Sequence, residues 1–143
     1  MRSRFSLVIP AYNEANWLPA LLDTVNAARA QYRGGADAIE VIVANNVSTD
    51  ETVAIAEARG CRVAHVEKRA IAAARNGGAA TSQGEVICFI DADSRVHKDT
   101  STRKFDKHGD WHYFTHIQRV GFWMLVNKKR GEKFTQAYWY EDR

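Results

Sequence analysis

The sequence predicts an α/β fold, a three-layer domain in which a parallel sheet lies between helices. Two observations predict it. Four short runs of β-branched and other apolar residues alternate with longer stretches whose apolar residues recur at helical spacing. The runs are apolar throughout, which is typical of parallel strands that are buried on both faces. Strands and helices that alternate in this way imply right-handed crossovers.

The predicted elements follow one another at regular intervals. The strands cover residues 5–9, 39–44, 61–66 and 86–90. The first helix has Asn16 as its cap and Pro19 in its first turn, and it ends at Gly34-Gly35. The second helix follows a capping box at residues 48–51 and ends at Gly60, and the third covers residues 70–82.

The pattern changes after Asp93. Residues 94–109 are polar and charged, and we expect an irregular segment there. A helix is predicted over residues 110–128, and residues 134–143 are expected to form a strand or an ordered extension. The apolar stripe of that helix comprises Trp111, Phe114, Ile117, Gly121, Met124 and Leu125. We therefore predict an α/β domain over residues 1–99 and a helical, aromatic-rich C-terminal extension over residues 100–143, packed on the same domain.

Charge and cysteine content indicate which partners and which cellular compartment to expect. The formal net charge is +3, and the excess of basic residues lies in residues 100–143. Residues 1–99 are slightly acidic and contain no RNA-binding motif, so no nucleic-acid partner is expected. No apolar run reaches the roughly 18 residues of a membrane span. Cys61 and Cys88 form no CxxC motif, so we expect buried free thiols and a cytoplasmic location.

The segments that follow the predicted strands are the candidates for a ligand site. Doubly wound α/β sheets bind their ligands outside the carboxyl ends of the strands. These segments are residues 10–14, 45–50, 67–69 and 91–94, and all four are polar. No GxGxxG or Walker lysine motif is present, so we expect no glycine loop around a phosphate.

Asp91 and Asp93 carry the strongest chemical signal. As residues i and i+2 at the end of a strand, they are expected to point the same way. Two carboxylates so close repel each other, and a divalent cation removes that repulsion. Their oxygen atoms suit Mg²⁺ or Mn²⁺, with water and substrate phosphates completing the coordination shell. The alternative is a turn that one of the two aspartates merely caps.

Gly77 and Gly78 stand inside a predicted helix, where each costs up to ~1 kcal/mol relative to alanine. This cost indicates a close approach of the helix to another group. One interpretation is a ligand, with Arg75 facing a phosphate or a carboxylate. The other is tight packing of the helix on the sheet, and the sequence leaves both open.

Four motifs, in this order, resemble those of the family 2 glycosyltransferases. They are VIPAYNE at residues 8–14, VIVANNVSTD at 41–50, RNGGAA at 75–80 and FIDAD at 89–93. The resemblance implies a GT-A type fold whose N-terminal half binds a nucleoside diphosphate sugar of the UDP or GDP type. The implied reaction is metal-dependent, inverting transfer of the sugar to an acceptor hydroxyl.

The resemblance also implies roles for individual residues. Two strand ends would line the nucleoside pocket, with one of the two asparagines meeting the base: Pro10, Ala11, Tyr12, Glu14, Asn45 and Asn46. Arg75 would lie near the base or the diphosphate, Asp91 near the ribose or the metal, and Asp93 would ligate the Mg²⁺ or Mn²⁺ ion.

The chain departs from the family pattern in two places. Family members usually show Asp-Asp-Gly or Asp-Asn-Gly where this chain has Asn45-Asn46-Val47, and an amide presents a different hydrogen-bonding edge to a base. Residues 101–106 resemble a basic segment that members carry after their acceptor-binding half. We therefore expect the chain to lack most of that half, through a natural deletion, an incomplete gene product or an edited sequence.

These departures keep two functions open, an active transferase and a non-catalytic nucleotide-sugar-binding remnant that acts by association. Glu141 and Asp142 form an acidic pair, but their place in the tail does not favour them as the catalytic base. An uncovered apolar stripe in residues 110–128 would predict a homodimer or peripheral contact with the inner face of the membrane.

Overall fold

The computed structural model describes residues 3–32, 34–96, 122–127 and 138–141. The predicted α/β class with a parallel sheet is confirmed. The parallel strands are β1 (Phe5–Ala11), β2 (Ile39–Asn45), β3 (Arg62–His65) and β4 (Val86–Ile90). The helices between them are α1 (Leu18–Gln31), α2 (Thr52–Ala58) and α3 (Ile71–Thr81), and a single 3₁₀ turn (Ala36–Ala38) precedes β2.

Two further strands extend the sheet in the antiparallel sense. β5 (Phe122–Asn127) pairs with β4, and β6 (Tyr138–Glu141) pairs with β5. The strand order is β3-β2-β1-β4-β5-β6. The helix predicted over residues 110–128 is therefore wrong for Phe122–Asn127, because this run takes its backbone hydrogen bonds from β4. The rest of that predicted helix lies outside the described residues, and the division of the chain at residue 99 stays a prediction.

The core lies on both faces of the sheet because successive strand residues point to opposite sides. On one face, Phe5, Leu7 and Ile9 of β1 pack with the buried leucines of α1. On the other face, Val8 and Ile42 pack with the buried alanines of α3. All seven residues of β1 are buried, as expected for a central strand with helices above and below it.

The helix ends differ from the predicted ones. Trp17, and not Asn16, is the N-cap of α1, and Pro19 lies in its first turn as predicted. α1 ends at Gln31, before the predicted Gly34-Gly35 stop. The reason is Tyr32, which takes an extended backbone and buries its ring edge-on against Phe5, with 5.7 Å between the ring centroids.

The start of α2 also departs from the prediction. No side-chain capping bond forms at its N-cap, so the capping box over residues 48–51 is wrong. Instead, the Asp50 carboxylate accepts a hydrogen bond from the Thr52 backbone N–H at 3.0 Å. The expectation of buried thiols holds for Cys88, whereas Cys61 is only half-buried, at the edge of the core.

The direction of chain progression reverses at β1. The chain passes outward from β1 to β2 and β3, and α3 then carries it back to β4 on the other side of β1. In such a sheet, the crevice at the carboxyl ends of the two strands that flank the reversal is where ligands bind. β1 and β4 are those strands here. Within the described ranges, no helix is long and apolar enough to cross a bilayer.

Candidate functional site

The loop after β1 is fixed to the loop after β2. Asn13 takes a left-handed backbone conformation with φ 50°, and its Oδ1 atom accepts a hydrogen bond from the Thr49 N–H at 2.7 Å. The Asn13 N–H donates to Ser48 Oγ at 3.0 Å, and the Glu14 N–H donates to Thr52 Oγ1 at 2.9 Å. The two loops therefore form one continuous rim at the carboxyl edge of the sheet.

Asn45, the last residue of β2, has both ends of its side-chain amide engaged within the protein. Its Oδ1 atom accepts a hydrogen bond from the Ser48 N–H at 3.1 Å, and its Nδ2 atom lies 3.2 Å from His65 Nδ1. The side chain therefore shapes the loop. A neighbouring cavity of about 210 Å³ is lined by Asn45, Val47, His65, Val66 and Glu67.

Asn46, which follows β2, forms hydrogen bonds to the end of β1 and to the segment after β3. Its backbone N–H donates to the Ala11 carbonyl at 2.8 Å, and its Nδ2 atom donates to the carbonyls of Val66 at 3.0 Å and Lys68 at 2.7 Å. These bonds hold the segment between β3 and α3 against the end of β1. Among the described residues, no hydrogen bond engages Asn46 Oδ1, so this oxygen is the atom that the residue can offer to a ligand.

A cavity of about 240 Å³ opens at the carboxyl ends of β1 and β2, beside the first turn of α3. It is lined by Pro10, Ala11, Tyr12, Glu14, Asn46, Arg69, Ala70, Ile71 and Ala74. The structure thus brings together five of the residues that the sequence singled out for a nucleoside pocket. Their roles toward a ligand stay predictions.

Arg69 belongs to this cavity, although the sequence analysis gave it no role. Its Cζ atom lies 3.2 Å from the centroid of the Tyr12 ring, within the range of a cation–π contact. The only sequence signal was its place after a predicted strand. The sequence placed the segments after β1 and β3 at the same edge of the sheet, but nothing in it indicated the contact between Arg69 and Tyr12.

Asp91 and Asp93 lie in a turn after β4. The strand ends at Ile90, and the Ser94 N–H donates to the Asp91 carbonyl at 3.0 Å. The alternation of side chains along a strand therefore does not apply to this pair, because neither aspartate belongs to β4. The expectation that the two carboxylates point the same way stays a prediction. Asp93 is exposed, whereas Asp91 is half-buried beside α3.

Arg75 faces a carboxylate, which is one of the alternatives that the sequence left open. Its Nη2 atom lies 3.4 Å from Asp91 Oδ1, and only 9% of the residue is exposed. The glycines that follow it serve close packing. A Cβ atom on Gly78 would overlap the Val8 side chain and lie 3.2 Å from Ala44 Cβ, so α3 rests directly on the sheet here.

Negative charge converges on Glu14. Burial raises the pKa of the Glu14 carboxyl above its ordinary value, and the carboxylates of Asp93, Asp91 and Asp50 raise it further. The carboxyl of the loop after β1 is therefore close enough to those of the turn after β4 for their charges to interact. A cation that binds there would reduce the repulsion between these groups.

The donor set suits a hard divalent cation whose coordination shell is completed by a ligand. Within the parts of the chain that the structure describes, no three His, Cys, Asp or Glu side chains come together as a ready-made metal site. Mg²⁺ and ions like it are usually bound by one or two carboxylates together with water and substrate phosphates. Asp93 with Asp91 fits that arrangement, and a cage built by the protein alone is absent from these residues.

The comparison with protein families decides what kind of protein carries this site. The family model described as Glycosyl transferase family 2 matches residues 6–141, nearly the whole chain. The chain belongs to this family. The resemblance seen in the four sequence motifs is thus confirmed at the level of the family.

Individual relatives agree with this assignment. The chain is 34% identical over 103 residues to the amylovoran biosynthesis glycosyltransferase AmsB of Erwinia amylovora, covering 66% of this chain and 32% of the relative. It is 29% identical over 110 residues to the putative glycosyltransferase EpsH of Bacillus subtilis (strain 168), covering 73% of this chain and 30% of the relative.

Solved structures show the same fold. The Staphylococcus aureus TarS fragment 1–349 in complex with UDP matches with a TM-score of 0.58 and 27% identity, covering 66% of this chain and 29% of that chain. The mannosyltransferase PcManGT of Pyrobaculum calidifontis, in complex with GDP-Man and Mn²⁺, matches with a TM-score of 0.58 and 28% identity, covering 70% and 30%.

This chain spans about a third of the length of the relatives that it matches. Because two thirds of each relative have no counterpart in the match, the activity of those whole proteins bears on this chain only as a proposal.

Proposed function

We propose that the crevice between the ends of β1 and β4 is the donor site of a glycosyltransferase that binds a nucleoside diphosphate sugar. The observation that carries the proposal is that Glu14 lines the cavity at the ends of β1 and β2 and also interacts with the carboxylates of the turn after β4, on the other side of β1, where the strand order reverses. The UDP and GDP-Man complexes of the similar structures support the ligand class.

The crevice has two chemically different sides. The cavity side offers the side chains of Tyr12, Asn46 and Ile71, which suit a base and its ribose. The β4 side offers Asp91 and Asp93, which suit a diphosphate only with a cation between them. At about 240 Å³ the cavity is smaller than the roughly 300 to 1,000 Å³ of sites for whole drug-sized ligands, so it takes only part of the donor.

Asp93 and Asp91 would hold the divalent cation, Mg²⁺ or Mn²⁺, and the Mn²⁺ in the similar mannosyltransferase complex supports this choice. Asp93 is the exposed carboxylate of the two, and Asp91 is already paired with Arg75. We assign Asp93 as the principal ligand and Arg75 as the residue that holds Asp91 in place. When bound, the cation would offset the charge that develops on the departing diphosphate.

In the proposed reaction the bond between the sugar and the diphosphate breaks, and the acceptor oxygen forms the new bond with inversion. The acceptor proton needs a base, and no described residue is assigned to that task. Glu141 closes β6 at the edge of the sheet, and Asp142 lies outside the described residues, so their part in catalysis stays a prediction.

The location of the protein is part of the same proposal. Cys61 and Cys88 are both free thiols, which supports a reducing, cytoplasmic setting for a protein that uses nucleotide sugars. Peripheral membrane contact and dimerisation were expected from residues 110–128. All but Phe122–Asn127 of that segment lies outside the described residues, so both stay predictions.

Calorimetric titration tests the proposal directly. UDP, GDP and dTDP are each titrated into the protein with and without Mn²⁺, and the same series is run on Asp93→Asn. The matched control is Asp37→Asn, which removes the same charge from the turn before β2, at the opposite edge of the sheet. We expect one nucleotide to bind in a Mn²⁺-dependent way, with Asp93→Asn at least tenfold weaker and the control unchanged.

The outcomes separate the alternatives. If no nucleotide binds to the wild-type protein, the donor-site proposal is wrong. If binding occurs but is equal with and without Mn²⁺, or equal in Asp93→Asn, the metal assignment is wrong. Donor binding without sugar transfer to any acceptor would favour the non-catalytic remnant.

A further inference from the structure

We propose that Arg69 is a positioning residue for the nucleobase of the donor, its guanidinium forming one wall of a stacking clamp whose other wall is the Tyr12 ring. The inference rests on the proposed function, because it adds one residue to the same donor site. It also goes beyond that function, since it states which side chains hold the base and in what manner.

The contact between Tyr12 and Arg69 is the first observation. The Arg69 Cζ atom lies 3.2 Å from the ring centroid, and both side chains line the 240 Å³ cavity. Both residues are exposed at the cavity mouth, Tyr12 to 41%. Among the described residues no carboxylate pairs with Arg69, so the ring is the contact that orients its guanidinium.

The two walls are held by backbone hydrogen bonds of their own loops. On the Arg69 side, Asn46 Nδ2 holds the carbonyls of Val66 and Lys68, and the Ala70 N–H donates to the Lys68 carbonyl at 2.8 Å. On the Tyr12 side, the adjacent loop is bonded to the loop after β2. The backbones are therefore anchored while the two side chains remain at the surface, which lets the clamp open without refolding either loop.

A nucleobase fits this pair better than a phosphate does. A planar guanidinium stacks on aromatic faces. A base inserted between the two walls would replace the exposed contact between Arg69 and Tyr12 with two stacking contacts, one on each face of the base. A phosphate would meet the guanidinium only, and the same cavity includes Glu14, a carboxyl on which the negative charges of three aspartates already act. The apolar neighbours Ile71 and Ala74 also suit the edge of a base.

Three variants separate stacking from charge. Arg69→Ala removes the stacking group and the positive charge. Arg69→Lys keeps the charge but lacks the planar guanidinium. Lys68→Ala, the control, removes the neighbouring exposed cation of the same loop. Each is titrated with UDP, GDP and dTDP in the presence of Mn²⁺, and with pyrophosphate and Mn²⁺ as a probe that has no base. Thermal unfolding confirms that each variant is folded.

Stacking predicts that Arg69→Ala binds the nucleotides about tenfold more weakly, with a similar loss for every base that the wild type binds, because each base has a face to stack. Arg69→Lys should resemble Arg69→Ala, while Lys68→Ala and all pyrophosphate affinities should change less than about twofold.

Other results overturn the clamp. If Arg69→Lys binds like the wild type, or if pyrophosphate affinity falls together with nucleotide affinity, Arg69 acts as a charge on the diphosphate. If Arg69→Ala binds nucleotides as well as the wild type or better, the arginine does not hold the base. These results leave the donor-site proposal intact, whereas a wild-type protein that binds no nucleotide removes both.

Discussion

Val47 shows how one residue can carry backbone strain beside a candidate site. It has a φ of 62°, in the left-handed region that β-branched residues rarely adopt, and its side chain is 47% exposed. No burial of the side chain offsets the cost of this conformation, which is about 1–3 kcal/mol. Glycine, which the family pattern has at this position, would adopt the same backbone conformation without steric cost.

We therefore expect Val47→Gly to stabilise the protein by about 1 kcal/mol, the relief of strain exceeding the added chain entropy of glycine. Urea denaturation measures the free energy of unfolding. Val53→Gly, in helix α2, is the control and should destabilise by about 1 kcal/mol, because glycine is unfavourable within a helix. A Val47→Gly variant less stable than the wild type would contradict the strain argument.

Glu40 joins three strands through a single carboxylate at the amino edge of the sheet. It accepts hydrogen bonds from Ser6 Oγ, from the N–H groups of Gln83 at 2.5 Å and Gly84 at 3.2 Å, and from Arg62 Nη1 at 2.8 Å. Burial by itself raises the pKa of the Glu40 carboxyl, but these hydrogen bonds and the Arg62 charge outweigh it and hold the pKa below its ordinary value.

The lowered pKa fixes the sign of a pH effect. The stability that Glu40 contributes is present above the pKa of an unfolded glutamate, about 4.3, and is lost as the pH falls through the lower folded value. Glu40→Gln should cost about 1–3 kcal/mol at pH 7, and the difference from wild type should shrink below about pH 4. Urea denaturation across this range measures it, with exposed Glu57→Gln as control. A difference independent of pH would show that the charge plays no part.

At the scale of elements, the packing of α3 on the sheet depends on the absence of a side chain at Gly78. An added methyl group there would overlap Val8, which lies in the central strand β1. A Cβ atom on the neighbouring Gly77 would overlap the side chain of Val66, the residue after β3, so the helix has no room for a side chain at either glycine. This close approach also carries Arg75 to Asp91.

Gly78→Ala should therefore destabilise the protein by about 1–3 kcal/mol, although alanine has the higher helix propensity. The exposed Asn76→Ala, in the same helix, serves as the control and should be neutral or slightly stabilising. Thermal unfolding distinguishes the two. Equal stability of Gly78→Ala and wild type would mean that α3 shifts away from β1 at no cost.

The elements that the sequence predicted best were those with two consistent signals. The parallel strands combine apolar runs with β-branched residues, and their predicted bounds differ from the observed ones by at most two residues. The run Phe122–Asn127 is apolar and has no capping residues beside it. A short apolar run of this kind is compatible with a helix or with a strand. Its pairing with β4 makes this run a strand. Pairing between segments that are distant in the chain produces no periodic pattern in the sequence.

At the scale of the whole molecule, the candidate site could be predicted in part because strand ends converge by topology. The sequence placed Tyr12, Glu14 and Asn46 at such ends, and the structure brings them into one cavity. The contact between Arg69 and Tyr12, and the use of Asn45 and Asn46 as braces between loops, depend on side-chain geometry across segments that are distant in the chain. Composition and spacing do not contain that geometry.

The central place of β1 also affects how the chain reaches its native state. β1 pairs with β2 on one side and with β4 on the other, where Phe5 lies opposite Val86. During synthesis, β1 leaves the ribosome before β4, so its second edge stays uncovered until β4 has been made. Until then it exposes unpaired backbone N–H and C=O groups beside apolar side chains, a combination that promotes association between chains. The arrangement that forms the crevice thus leaves β1 open to association with other chains until β4 has been synthesised.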